Sequence, residues 1–120
     1  MFKETIICIV IIVVIFSLDI FTQKYTKNTT NEITEIFSEL KQLALREDKE
    51  QMEKEIVKLD DEWNKKHDKL AYYIEHDELE KVDTAIVSAK SYIETEDYPS
   101  ALAELDVGKF VLEHIQRKYA

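Results

Sequence analysis

The hydrophobic residues form two patterns along the chain: one unbroken block near the N-terminus and four periodic segments after it. The block runs from Ile6 to Phe16 as eleven consecutive apolar residues, and extension to Phe21 brings it to 16 residues. This is close to the roughly 17–25 residues of a membrane-spanning helix. A core helix of a soluble bundle would have a polar face, which these residues cannot form. We therefore predict a membrane anchor over residues 1–21, with residues 6–21 in contact with the lipid bilayer.

The end of this block decides between an anchor and a cleaved signal peptide. Cleavage needs small residues in a small-x-small pattern after the apolar run, and the segment from Phe16 to Thr22 has no such pattern. We therefore predict an uncleaved signal-anchor in the cell membrane. Basic residues are nearly balanced across the block, with Lys3 before it and Lys24 and Lys27 after it. The short N-terminal head favours a single-pass protein with its body outside the cytoplasm.

The remainder of the chain has the pattern of a helical domain. Residues 22–31 are polar and rich in Thr and Asn, which predicts a juxtamembrane linker before a helical bundle domain over residues 32–120. In that domain, apolar residues recur at steps of three and four in four segments, as in helices with one buried face. We predict an all-α fold, with an N-terminal transmembrane helix followed by an antiparallel bundle of about four helices in two αα-hairpins. The predicted core consists of Ile36, Leu40, Ile56, Leu59, Trp63, Leu70, Val82, Ile86, Leu105 and Leu112.

Side chains with capping ability predict where the helices start. Thr29, Asp48 and Asp77 are each followed three residues later by Glu or Gln, which is the capping-box pattern. Asp97 is followed by Pro99, which suits the first turn of a helix because its missing N–H has no partner there. These residues predict four helix starts.

Two helix ends resemble each other in sequence. Residues 43–48 and 92–97 each combine a helix end, an acidic turn and the start of a new helix, at a spacing of 49. This similarity suggests two related αα-hairpins. The weakest boundary lies at His76, where the chain must turn without a glycine. A single long bent helix from Lys49 to Thr95 is the structural alternative.

Charge and cysteine content exclude several classes of protein. The formal net charge is −9, and because the first 21 residues contain Lys3, Glu4 and Asp19, the body carries −8. Such a surface repels phosphate backbones, so we expect no nucleic-acid partner. The single cysteine, Cys8, lies inside the apolar block, which leaves no disulfide framework and no thiolate metal site.

The histidines are the metal-capable nitrogens of the chain. His67, His76 and His114 lack the Glu-x-x-His spacing of di-iron bundles. In an up-down-up-down bundle the second and fourth helices end at the same pole, so His76 and His114 are candidates for a metal- or proton-sensing site. The alternative is a simple interaction of each histidine with a helix C-terminus. We interpret His67 as a residue at the boundary of the core.

The last helix carries the strongest candidate surface. Val107, Phe110 and Val111 form a second apolar face beside the buried stripe, more than one core requires. A chain with one glycine cannot build a glycine-rich phosphate loop, and no serine has a distinctive catalytic context. We therefore predict no enzymatic activity and no cofactor. We expect a membrane-protein partner at this face, with homo-oligomerisation as a further possibility.

Several segments of the body also carry a family resemblance. They are Trp63 within LDDEWNKKHDKL, the IEH segment at 74–76 with Glu78 and Leu79, and the ALAEL and LEHI segments of the last helix. Together they resemble an uncharacterised bacterial family, domain of unknown function number 4363, over nearly the whole chain. The resemblance implies a small single-anchor helical protein of unassigned activity, with relatives encoded beside a multi-span membrane protein, and it assigns no catalytic residues.

Two functional hypotheses follow from these patterns. The first is a membrane-tethered helical interaction or scaffold module that binds another membrane protein. The alternative is an extracytoplasmic metal- or pH-responsive sensor that uses His76 and His114.

Overall fold

The computed structural model describes residues 2–120 as four helices joined by short turns. Their bounds are α1 Phe2–Leu45, α2 Lys49–Leu70, α3 His76–Glu94 and α4 Tyr98–Tyr119. Each helix packs against the next one in the chain, and α4 also packs against α1, so the four axes form a square with α1 diagonal to α3. The predicted all-α fold with a bundle of four antiparallel helices is confirmed.

The first helix is longer than predicted and contains the segment expected to be a linker. It runs for 44 residues without a break, and Thr26, Thr29 and Thr30 are buried in it. The prediction that a helix begins at Thr29 is therefore wrong. The Thr26 hydroxyl donates to the Thr22 carbonyl at 2.8 Å, and the Thr30 hydroxyl donates to the Thr26 carbonyl at the same distance. These bonds satisfy the hydroxyls of Thr26 and Thr30, so the two side chains can be buried against the bundle although the segment is polar.

The second and third helices are separate, so the alternative of one long bent helix is wrong. After α2 ends at Leu70, the Ile74 amide donates to the Leu70 carbonyl at 2.9 Å and closes the turn. Ile74 is 4 % exposed, which fixes the turn to the core. The residue before α3 is Glu75, with no side-chain cap, rather than the predicted Asp77.

The two similar segments form the same turn at the same pole of the bundle. After α1 the Asp48 amide donates to the Leu43 carbonyl at 3.1 Å, and after α3 the Asp97 amide donates to the Tyr92 carbonyl at 2.9 Å. Both are six-to-one hydrogen bonds of the Schellman type. The same aspartates then cap the next helices, since Asp48 accepts from the Gln51 amide and Asp97 from a first-turn amide of α4. The predicted caps at Asp48 and Asp97 are confirmed.

The interior of the bundle is one continuous hydrophobic cluster. Trp63 is the largest of its fully buried side chains. All ten residues predicted for the core are at most 7 % exposed: Ile36, Leu40, Ile56, Leu59, Trp63, Leu70, Val82, Ile86, Leu105 and Leu112.

Gly108 allows α4 to pack closely against α1 and α3. A Cβ atom at this position would lie 2.6 Å or less from two ring atoms of Phe37 on α1 and 3.2 Å from Ala85 on α3. Phe37 is 1 % exposed, so its ring has little room to move. The glycine therefore serves packing inside the bundle.

Candidate functional site

The apolar part of α1 projects from the bundle and is exposed along its length. It passes the length and hydropathy requirements of a membrane-spanning helix, with a mean hydropathy of 2.8 in its most apolar window and no part of that window buried. From Phe2 to Phe21 the helix rises about 30 Å, the thickness of a bilayer hydrocarbon core. These properties fit a single-pass membrane helix, and they fit a signal sequence equally well.

The predicted face of α4 divides between surface and core. Val107 is 48 % exposed and Phe110 is 63 % exposed, whereas Val111 is 8 % exposed and belongs to the core cluster. The inclusion of Val111 in an exposed face is therefore wrong, because α3 packs beside that edge of α4. The exposed apolar pair is Val107 and Phe110.

A shallow groove between α3 and α4 adjoins this pair. Its volume is about 490 Å³, and Val107, Val111 and Ala85 supply its apolar part. Acidic side chains outnumber basic ones among its remaining residues, which are Asp77, Glu80, Glu104, Lys81 and Thr84. The surface beside the exposed pair is thus polar and mainly acidic.

Contacts between α1 and α4 fix the height of this face above the apolar helix. The Lys41 ammonium lies 2.9 Å from the Asp106 carboxylate, and the Phe37 ring lies against Gly108. Since Phe37 is sixteen residues beyond Phe21 in one helix, the exposed face lies about 24 Å beyond the end of the apolar block.

A second concave region lies where the apolar helix meets the bundle. This region, called here the basal cleft, has a volume of about 370 Å³. It separates α1 from the end of α2, and four of its six lining residues are aromatic. Its lining residues are Phe21, Thr22, Tyr25, Lys69, Tyr72 and Tyr73.

One side of the basal cleft is held firmly and the other is free. The Tyr73 hydroxyl shares a 2.5 Å hydrogen bond with the Thr26 hydroxyl, and the Tyr73 ring packs edge-on against Tyr119. Partial burial raises the pKa of Tyr73 above its usual value and keeps the phenol neutral. Tyr119 in turn accepts a hydrogen bond from the Glu75 amide at 3.3 Å. In contrast, Tyr72 is 88 % exposed.

The two candidate sensor histidines pair with different carboxylates of α3. His76 Nε2 lies 3.8 Å from Glu80, and His114 Nε2 lies 3.4 Å from Glu78. Glu78 is buried and is also 3.4 Å from the Lys118 ammonium. Burial lowers the pKa of Lys118, but its hydrogen bond to Glu78 and nearby negative charge outweigh this and raise the pKa.

No group of three or more His, Cys, Asp or Glu side chains within residues 2–120 is arranged to hold a metal ion. The histidine sensor therefore stays a prediction. The third histidine, His67, lies 3.4 Å from Asp83, and the Trp63 indole N–H donates to the same carboxylate. This arrangement orders the edge of the core between α2 and α3.

Comparison with known families shows which family the bundle belongs to. The family described as domain of unknown function, DUF4363, matches residues 20–120. The chain belongs to the DUF4363 family. The DUF4363 match starts at the end of the apolar block and includes the entire bundle, so the family resemblance seen in the sequence is confirmed. No curated protein and no solved structure matches the chain.

The sequence is compatible with a ligand groove lined by tyrosines, but it favours Tyr72 and Tyr73 as core or rim residues near a helix end, and it does not predict the basal cleft of this DUF4363 domain. Phe21 and Tyr25 are four residues apart and therefore share one face of α1, where their rings stack at 6.4 Å. Tyr72 and Tyr73 lie just beyond the end of α2, after the C-cap residue Ala71. These two pairs were the available signal, but their proximity depends on how α2 packs against α1.

Proposed function

We propose that this DUF4363 protein is a membrane-tethered interaction module that presents the exposed face of α4 to another membrane protein. The apolar part of α1 would cross the cell membrane once, and the bundle would lie outside the cytoplasm. The single observation that carries the proposal is the continuity of α1. One helix contains both the exposed apolar block and a buried wall of the bundle.

This continuity would hold the bundle at a fixed height and orientation relative to the bilayer. A bundle on a flexible linker would sample many heights and orientations, whereas a continuous helix holds its surfaces at one distance from the bilayer. The Lys41–Asp106 ion pair and the packing of Phe37 on Gly108 attach α4 to this same helix. The partner therefore needs a portion that extends about 24 Å from the hydrocarbon core.

The exposed pair on α4 supports a protein partner. Phe110 is an aromatic side chain with 63 % of its surface exposed, and Val107 adjoins it one turn earlier. Buried aromatic residues contribute much of the binding energy in protein interfaces. The pair is small, so it would be the centre of an interface whose rim is the acidic groove.

Site-specific photocrosslinking in cells tests this proposal. A photoreactive phenylalanine analogue placed at Phe110 or Val107 of the full-length protein should yield one defined adduct with a membrane protein. The matched control is the same analogue at Val57, which is 50 % exposed on α2, diagonal to α4. Adducts at Val57 equal to those at Phe110 would contradict a specific face.

Membrane attachment is measured separately. Full-length protein should resist extraction by alkaline carbonate, while a variant that lacks residues 2–21 should appear in the soluble fraction. The adducts at Phe110 should also be lost in that variant, because without the signal-anchor the bundle is neither exported nor concentrated beside its partner. A soluble full-length protein, or adducts that persist without the anchor, would overturn the tethering.

A further inference from the structure

The basal cleft has a composition unlike the rest of the surface. The residues that line it comprise four aromatic side chains, one threonine and one lysine, and these six include no carboxylate. The chain as a whole carries a net charge of −9. An aromatic cleft whose one charged lining residue is a lysine, on an otherwise acidic protein, suits an anionic amphiphile.

The position of the basal cleft gives it access to lipid. Phe21 is both the last residue of the exposed apolar block and a wall of the cleft, so the two apolar surfaces are continuous. From Phe21 to Tyr25 the helix rises about 6 Å, which matches the thickness of one headgroup layer. Tyrosine rings are favoured at this depth because one end is apolar and the other hydrogen-bonds.

We propose that the basal cleft binds one anionic phospholipid from the surrounding bilayer, with the lipid phosphate beside the Lys69 ammonium. The glycerol region and upper acyl chains would lie against the rings of Phe21, Tyr25 and Tyr72. This inference rests on the membrane insertion of α1 in the proposed function. It adds a defined lipid site that the interaction face on α4 does not require.

The cleft is largely formed before the lipid arrives. Tyr73 is fixed by Thr26 and Tyr119, so the inner wall needs no rearrangement. Lys69 is exposed and forms no ion pair among residues 2–120, which leaves its ammonium free for a phosphate. Tyr72 is the exposed part of the site, and because neighbouring residues leave its ring uncovered, the ring has room to close over a bound chain.

Native mass spectrometry of the full-length protein in mild detergent tests this inference. The probes are phosphatidylglycerol, which is anionic, and phosphatidylcholine, which is zwitterionic. We expect one phosphatidylglycerol per chain, bound more tightly than phosphatidylcholine. Lys69→Glu should weaken the binding of phosphatidylglycerol by at least about fivefold and remove the preference, since the loss of one basic residue at a membrane surface alone contributes about that factor and the new carboxylate adds repulsion. Tyr72→Ser should weaken the binding of both lipids.

Lys58→Glu is the matched control. Lys58 is exposed on α2 and precedes Lys69 by eleven residues, so it lies on the same face about three turns farther from the apolar block. This variant changes the net charge by the same amount and should bind phosphatidylglycerol normally. Equal loss in both lysine variants would show diffuse electrostatics and overturn the inference, as would unchanged binding in Lys69→Glu.

The outcome is separable from that of the proposed function. The α4 face is about 18 Å from the basal cleft along α1, judged from the levels of Phe37 and Tyr25. Lys69→Glu should therefore leave the photocrosslink at Phe110 unchanged. Lipid binding through Lys69 without any partner adduct would refute the interaction module and retain the lipid site. Adducts at Phe110 without Lys69-dependent lipid binding would refute only the lipid site.

Discussion

Two glutamates occupy a backbone conformation that favours glycine. Glu47 has a φ of 56° and Glu96 a φ of 60°, and each is the left-handed residue of a Schellman turn. For a residue with a Cβ atom this conformation costs roughly 1–2 kcal/mol. The turns persist because the flanking aspartates cap the next helices and the Lys49 ammonium lies 3.4 Å from Glu96 across the pole.

Glu47→Gly should therefore stabilise the protein by about 0.5–1 kcal/mol, because glycine adopts positive φ without strain. A thermal melt of the full-length protein in micelles, followed by far-UV circular dichroism, measures the change. Glu53→Gly, in the exposed interior of α2, removes the same charge and should destabilise by about 1 kcal/mol. A melting temperature for Glu47→Gly at or below that of the wild type would contradict the strain.

At the scale of elements, the sequence predicts what depends on single helices and misses what depends on their packing. The apolar stripes predict the core correctly, because the apolar face of a helix is the face that packs against the other helices, as Leu59 and Trp63 do. Residues 22–31 were misassigned because polar composition does not reveal hydroxyls that bond to their own helix, as those of Thr26 and Thr30 do. Val111 lies at the edge of its stripe, where the neighbouring helix decides its burial.

The basal cleft marks the limit of prediction from sequence. Its two sides are more than forty residues apart, and they meet only because α2 returns antiparallel to α1. The similar segments at 43–48 and 92–97 correctly indicated two equivalent turns, but a glutamate at positive φ has no sequence signature. Turn position was thus predictable, and turn conformation was not.

The packing of α4 on α1 provides a prediction at the same scale. Gly108→Ala should destabilise the bundle by about 1–3 kcal/mol, although alanine favours helices by about 1 kcal/mol over glycine. The reason is the overlap of the new methyl group with the buried Phe37 ring. The melting temperature in micelles measures this loss.

A smaller side chain at position 37 tests whether overlap with the Phe37 ring causes this loss of stability. Phe37→Leu alone should destabilise by opening a cavity, but combined with Gly108→Ala it should recover part of the loss. Additive effects of the two substitutions would show that overlap with Phe37 is not the reason.

On the scale of the whole molecule, one continuous helix carries both proposed sites at different heights. The structure extends over 70 × 21 × 20 Å because the apolar part of α1 continues straight out of the bundle. In the proposed orientation the basal cleft lies at the headgroups and the α4 face about 24 Å beyond the hydrocarbon core. The lipid of the basal cleft and the protein partner of the α4 face would then lie on the same side of the membrane. An experiment that determines the side of the bundle therefore applies to both proposals.

Sidedness is accessible through a single introduced cysteine. Ser91 is exposed near the distal end of α3, whereas the native Cys8 lies in the apolar block. In a Cys8→Ala background, Ser91→Cys should react with a membrane-impermeant maleimide in intact cells, because the bundle is proposed to be extracytoplasmic. The Cys8→Ala protein alone should not react. Labelling of Ser91→Cys only after lysis would place the bundle in the cytoplasm. The partner would then have to present its 24 Å extension there, where basic juxtamembrane segments are enriched and the acidic rim of the α4 face would attract them.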